Sequence, residues 1–356
     1  MKPKERLLNS IYGKEVDRIP WAPFLAYYWD FLDEAIKQKG QFNYYQSIGA
    51  DPLFRGSHVL AKPIYQHCDI STNVKGNMKE TRYTTPVGTL TLLHTYSDTG
   101  NTWYLTTHPV RSQEDFKTLQ YIYEHITFEE NISAFEKDKA CLGNDGLYLP
   151  VVGVMAKTSY QSLLEHWCGT IDLTYATFDY PDIVEACLSA MNHKNKQMVE
   201  LSSKSSAEGF IFYEDTSTTN ISPSIFEQYI KPEIDQWGDI IHAHDKLLIH
   251  HACGHLKGVM SHIADSNIDV LESISPPPTG DIEIVDARAV LPDHIAIIGG
   301  IEPTKLLNLP MNALEQYVTE LLSAMKGSRY ILANSDSCPP GVDEEKFKMI
   351  SQLVKA

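Results

Sequence analysis

The chain has 356 residues, and its 46 acidic against 30 basic side chains give a formal net charge of −16. That balance argues against a phosphate-backbone partner and suits a protein that stays dispersed in water. With 43% hydrophobic and 21% charged residues, 19 tyrosines and 12 phenylalanines, the composition excludes a disordered or low-complexity chain.

The opening Met1 to Leu8 is charged and lacks the apolar core and small-residue cleavage site of a signal peptide. No run approaches the roughly 18 to 20 apolar residues of a membrane span. A cytoplasmic protein with no membrane or nucleic-acid partner is expected. The six cysteines (Cys68, Cys141, Cys168, Cys187, Cys253, Cys338) show neither dense spacing nor a Cys-x-x-Cys. A disulfide framework and a closed zinc knuckle are therefore not expected.

In chain order, residues 3–13 predict a short amphipathic helix with Leu7, Leu8 and Ile11 on one face and Gly13 as its stop. A first strand is predicted over 17–24, kept short by Pro20 and Pro23, then a helix over 29–40 and a second strand at 50–56. From 64 to 110 the texture becomes alternating Thr, Tyr, Val and Leu, with turn signals at Gly76, Pro86-Val87-Gly88 and Thr99-Gly100-Asn101. This predicts an antiparallel β-hairpin insertion after strand two.

Helical texture returns at 112–139, and a third strand is predicted over 147–153. Helices at 158–178 and 181–206 follow, the second with Pro181 at its first position. Residues 209–215 predict strand four, ending in Glu214 and Asp215; Ser222 then caps a helix that begins at Pro223. Strands five to eight are predicted at 247–251, 268–273, 295–298 and 330–333, with helices at 254–265, 283–291, 304–326 and 343–355. Short apolar strands alternating with long helical stretches predict a parallel sheet, and eight of them predict closure into a (β/α)8 TIM barrel, with an open doubly wound sheet as the alternative. The whole of 1–356 is expected to be a single barrel domain. Ile298-Gly299-Gly300-Ile301 is no Gly-x-Gly-x-x-Gly cradle, so a dinucleotide site is not expected.

Chemistry collects after the predicted strands, at the rim where barrel enzymes keep their active sites. The run Leu247-Leu248-Ile249-His250-His251-Ala252-Cys253-Gly254-His255 is apolar and then abruptly polar. Residues two apart on a strand share a face, so His251 and Cys253 present an imidazole beside a thiol. The pair reads either as zinc ligands or as a hydrogen-bonded core histidine beside a small buried thiol. Cys338, 85 residues beyond Cys253, is the third candidate ligand, or else a loop thiol before Pro339. His, Cys and Cys would leave a tetrahedral zinc one open position, suited to a soft sulfur substrate. Glu214 and Asp215 are candidate catalytic carboxylates, or a hydrogen-bonding pair. Asp51, Asp69 and Tyr160 are candidates for lining a substrate pocket. His250 and His255 read as supporting or structural groups.

These residues resemble the uroporphyrinogen decarboxylase superfamily, and within it the cobalamin-dependent, methylcobamide:coenzyme M-like methyltransferases. The markers are Asp17-Arg18-Ile19-Pro20, Ile221-Ser222-Pro223 before Phe226 and Lys231-Pro232, His251-Ala252-Cys253-Gly254, Gly280-Asp281, Gly299-Gly300-Ile301 and Cys338-Pro339-Pro340-Gly341. The resemblance implies a (β/α)8 barrel with a funnel-shaped pocket, zinc on His251, Cys253 and Cys338, a pocket aspartate at Asp215, and a corrinoid, presented by a carrier protein, as methyl carrier or co-substrate. A small methyl donor or acceptor completes the expected reaction. The decarboxylase branch implies a metal-independent reaction on a tetrapyrrole acid, aided by Asp51 or Asp215. Its arginines just after the first strand are missing here, where the chain reads Pro23 to Tyr28; Arg55 or Arg82 are the candidates to replace them.

Overall fold

A computed structural model describes residues 1–356. Thirteen strands are β1 Leu53–Val59, β2 Ala61–Tyr65, β3 Asp69–Lys75, β4 Met78–Thr85, β5 Gly88–Ser97, β6 Thr102–Thr107, β7 Ile126–Glu130, β8 Leu147–Val151, β9 Gly209–Asp215, β10 Leu247–Cys253, β11 Val270–Ile274, β12 Ala296–Ile301 and β13 Tyr330–Asn334. The chain divides into two compact units. One comprises Met1–Val59, Ile132–Val151 and Ser205–Ala356; the other comprises Leu60–Asn131 and Val152–Lys204.

The first unit is built on a seven-stranded sheet in the order β1-β8-β9-β10-β11-β12-β13, parallel throughout. The strands are apolar runs buried on both faces, as a parallel sheet between layers requires. The predicted first strand is reduced to a short extended piece, because Pro20 and Pro23 lack N–H groups and cannot sustain a ladder. What remains carries the sheet's curl. On one side Ala22 N–H donates to Leu332 O at 2.9 Å, and Leu332 N–H to Pro20 O at 2.9 Å. On the other, Asp51 N–H donates to Trp21 O at 2.7 Å. Residues 20–22 thus link β13 to the residue pair that leads into β1, and the sheet is barrel-like.

Asp51 fastens this link. It is 1% exposed, accepts from Trp21 N–H at 3.0 Å and pairs with Arg6 at 2.5 Å and Arg18 at 2.8 Å. It stands before β1, at the N-terminal ends of the parallel strands. The structure therefore places this candidate pocket residue at the end opposite the one where β10 delivers His251 and Cys253.

The second unit contains the four-stranded antiparallel sheet β3-β4-β5-β6 and the two-stranded pair β2-β7. The alternating stretch of 64–110 thus makes four strands, wider than one hairpin. The predicted helix 112–139 is interrupted: helices Gln113–Glu124 and Ser133–Leu142 flank β7. Ile126, Thr127 and Phe128 are strand formers, and β7 pairs with β2 from Tyr65↔Ile126 to Ala61↔Glu130. The helix 158–178 is likewise broken, by a π-helical turn over Leu163–Trp167 and by Gly169 at φ +82°. The 304–326 helix divides at Pro310 into Pro303–Asn308 and Met311–Ala324.

Two stability tests follow from the lower end of the sheet. Asp51→Ala removes the buried carboxylate that Arg6 and Arg18 share and leaves the Trp21 N–H without its acceptor. Arg6 keeps its pair with Asp17, so the expected cost is about 1–3 kcal/mol, read as a lower urea midpoint. His242 Nε2 lies 2.8 Å from Asp269 Oδ2; the hydrogen bond to Asp269 raises its pKa above the ordinary histidine value, against burial. The folded pKa is the higher one, so this stabilisation is complete below about pH 6.5 and is lost as pH rises through the folded value. The urea midpoint of wild type should exceed that of His242→Gln most at acid pH, with the gap closing at alkaline pH.

Candidate functional site

Parallel register sets one level of side chains across three neighbouring strands. His251 on β10 is opposite Tyr213 on β9 and Glu272 on β11, so all three face the same side of the sheet. His251 Nδ1 is 2.7 Å from Glu272 Oε2, and the Tyr213 ring centroid is 4.8 Å from the imidazole. Glu272 Oε1 is 2.6 Å from Arg55 Nε on β1; the Arg55 side chain is fully buried and that of Glu272 is 3% exposed. Burial alone would raise the Glu272 pKa, but Arg55 and His251 outweigh it and hold the carboxyl below the ordinary glutamate value. Glu272 is therefore an anion clamped between a guanidinium and an imidazole.

Phe24 covers the cluster. Its ring centroid is 6.0 Å from His251 and 6.3 Å from Tyr213, and the Arg55 guanidinium lies 5.3 Å from it. Asn334, the last residue of β13, grips the Phe24 backbone at both ends: Phe24 N–H donates to Oδ1, and Nδ2 donates to Phe24 O, each at 2.9 Å. The backbone of β11 is bent just after Glu272. Its register slips between Glu272 and Ile274, and Ser273, 1% exposed, has φ +81°. Such a positive φ in a non-glycine residue is unusual and re-aims the strand where the carboxylate must reach two partners.

The other side chains of the same strands face the helical layer. His250 stacks on Phe212 at 4.5 Å, Phe212 meets Trp237 of the helix Lys231–His242, and His250 Nε2 is 3.3 Å from Glu214 Oε2. Glu214 is 1% exposed. The two carboxylates that end β9 thus diverge: Glu214 joins His250 on the helix-facing side, and Asp215 stays level with Cys253. Asp215 accepts from Ser217 N–H at 3.2 Å and Asn220 Nδ2 at 3.0 Å, so it organises the loop leaving β9. Gly254 shows how tightly that loop packs. At φ +88°, a Cβ there would come within 2.4 Å of Ser217 Cβ and 2.9 Å of an Asp215 oxygen, which only glycine avoids.

Cys253 ends β10, with Sγ 3.5 Å from Glu214 O. Cys338 lies in the loop after β13, fully buried. Its N–H donates to Phe24 O and its carbonyl accepts from Tyr28 N–H, each at 2.9 Å, and Sγ is 3.7 Å from Pro339 O. Burial pushes its thiol pKa up, and no neighbouring cation offsets that. No group of three or more His, Cys, Asp or Glu side chains is arranged to hold a metal ion. His251 fits a zinc ligand, since a carboxylate on Nδ1 leaves Nε2 for a metal. Cys338, as placed, does not complete the set. Tyr160 belongs to the second unit, where it is 2% exposed.

Glu272, Tyr213 and Phe24 escaped the sequence reading, and Arg55 entered it only as a candidate to replace the missing arginines. The one available signal was a single charge inside a short buried strand: Arg55 after Leu53-Phe54, and Glu272 between Leu271 and Ser273.

The fold and site together define an α/β protein whose parallel, barrel-like sheet gathers polar groups at the C-terminal ends of its strands. Residues 164–356, just over half of the chain, match the uroporphyrinogen decarboxylase (URO-D) family, and the chain belongs to that family. Two curated relatives, the uroporphyrinogen decarboxylases of two Prochlorococcus marinus strains, are each 20% identical over 254 residues, 69% of this chain and 69% of the relative. Among solved structures, a methyltransferase from Methanosarcina mazei is similar with a TM-score of 0.63 and 13% identity, over 99% of this chain and 98% of that one. At that identity the likeness shows the fold. No helix is long and apolar enough to cross a membrane.

Glu272→Leu leaves the Arg55 charge buried without its partner and is expected to cost about 3–5 kcal/mol; pairing it with Arg55→Met should recover most of the loss. Urea unfolding of the single and double variants checks both.

Proposed function

We propose that this protein is a methyltransferase that moves a methyl group between a corrinoid, methylcobalamin held on a carrier protein, and a small thiol or methyl donor. The observation that carries the reading is the imidazole of His251, fixed through Nδ1 by a buried carboxylate at the strand end that also carries Cys253. Carboxylate-held histidine is the usual outer support of a metal ligand. With this reading goes zinc on His251, Cys253 and Cys338. Cys338 would join the other two from the loop after β13, which is anchored by the Phe24 and Tyr28 backbone bonds. A bound zinc would supply Lewis acidity and lower the pKa of a thiol substrate.

The chain's own contribution is orientation and exclusion of water. Glu272 selects the His251 tautomer that presents Nε2. Arg55 keeps Glu272 ionised, and Phe24 and Tyr213 shield the imidazole. Asp215 is proposed to act through the loop that it orders, beside Cys253. Glu214 supports from the far side of β10 through His250.

The alternative, a metal-independent decarboxylase of a tetrapyrrole acid, draws support from the names of the curated relatives. Its substrate carries several carboxylates and demands free cations. Arg55 is buried against Glu272, and Arg82 pairs with Glu80 on β4. Neither compensates for the missing arginines after Pro23.

Protein purified without added metal is expected to carry about one zinc per chain, lost in His251→Ala and in Cys253→Ser, with loss of methyl transfer from methylcobalamin to small thiols. Undiminished zinc in both variants, or carboxyl loss from uroporphyrinogen without metal, overturns the proposal.

A further inference from the structure

We propose that the edge strand β3 pairs with β3 of a second copy of this chain, antiparallel about a twofold axis through Thr72, joining two four-stranded sheets into one of about eight strands. β3 is the outer strand of its sheet, and all seven of its residues are exposed. It has no bulge and no proline, and it runs in unbroken register with β4 from Asp69↔Thr84 to Lys75↔Met78. Long regular edges of this kind are templates for strand addition unless something blunts them.

The backbone direction selects the register. Lys75 and Met78 close the two-residue turn at Gly76-Asn77, with Gly76 at φ +62°, so they are the pair that exchanges both N–H···O bonds. Alternation then turns the N–H and C=O groups of Asp69, Ser71, Asn73 and Lys75 toward β4, and those of Ile70, Thr72 and Val74 toward the open edge. With Thr72 opposite Thr72 of the copy, Ile70 meets Val74 and Val74 meets Ile70. All outward groups find partners in about six hydrogen bonds.

Side chains agree with that register and no other. Asp69 falls opposite Lys75 of the copy, and Lys75 opposite Asp69, giving two opposite-charge pairs on an edge with no net charge, on a chain that otherwise carries −16. Ile70 and Val74, 45% and 56% exposed, become apolar cross-strand pairs. A shift of two residues puts Asp69 opposite Asn73 or beyond the partner strand and loses both charge pairs. The twofold arrangement is closed at β3 and covers that edge on each copy, with β6 as the outer strand at each end of the joined sheet. A contact built on one strand sits at the small end of specific interfaces, so association is expected to depend on concentration.

Sedimentation of the full chain over a wide concentration range tests this, with circular dichroism confirming that each variant is folded. Wild type should shift from monomer to dimer. Asp69→Lys, which sets lysine against lysine in both pairs, should weaken association about ten-fold or more, and Asp69→Lys with Lys75→Asp should restore it. Thr72→Pro removes an N–H that faces away from β4 and should abolish the dimer while leaving the β3-β4 ladder. A wild type that stays monomeric at several hundred micromolar, a dimer indifferent to Asp69→Lys and Thr72→Pro, or a charge swap that fails to rescue would each overturn the proposal.

Discussion

The buried carboxylate of Glu272 is the group on which the parallel sheet and its site jointly depend. An isolated carboxylate removed from water costs several kcal/mol, and Glu272 is tolerated because Arg55 and His251 reach it from two other strands. Arg55 is bound in turn to Ala22 O at 2.8 Å, in the short extended segment that links β13 to the start of β1. The same side chain thus neutralises the site's anion and fastens the sheet's curl. Phe24, two residues further on, lies over Arg55 and against His251. The sheet's curl and the site are one network, and displacement of either would expose a buried charge.

How much of this was legible depends on whether the signal was local. The apolar run ending in His251-Ala252-Cys253 marks its strand end without help from the rest of the chain, and β10 extends over Leu247–Cys253. Strand four was likewise readable, with bounds at 209–215. Yet its terminal carboxylates had been grouped by adjacency, and strand alternation sends them to opposite faces. Arg55 and Glu272 are isolated charges in short strands more than two hundred residues apart, and their meeting depends on the register of β8 through β11. No local pattern encodes that register. Asp51 is an acid just before a strand, which in sequence looks the same whether it lines a pocket or clamps two arginines.

The fold was legible where hydrophobic period and length agreed. The parallel strands and intervening helices of the first unit follow that pattern, whereas β7 was absorbed into helical texture because five residues between two helices leave no resolvable period. The predicted first strand failed for a chemical reason: two prolines remove the donors that a ladder needs. What survives, residues 20–22, keeps only the bonds at Trp21, Ala22 and the Pro20 carbonyl. Those few bonds suffice because Asp51 holds the Trp21 N–H with a buried side chain.

The placement of positive charge also bears on what the site can receive. Arg6 and Arg18 are engaged by Asp51, and Arg55 by Glu272. Arg288 donates to the carbonyls of Leu291, Pro292 and Ile295, and Lys346 to those of Leu306 and Leu307. The cations buried in this unit are thus engaged by the protein itself, and the strand ends present imidazole, thiol, phenol and amide groups. A ligand dense in carboxylates would have to displace an internal ion pair to gain a cation, at the desolvation cost that made the pair necessary. A ligand recognised through a soft sulfur or through hydrogen bonding would displace none.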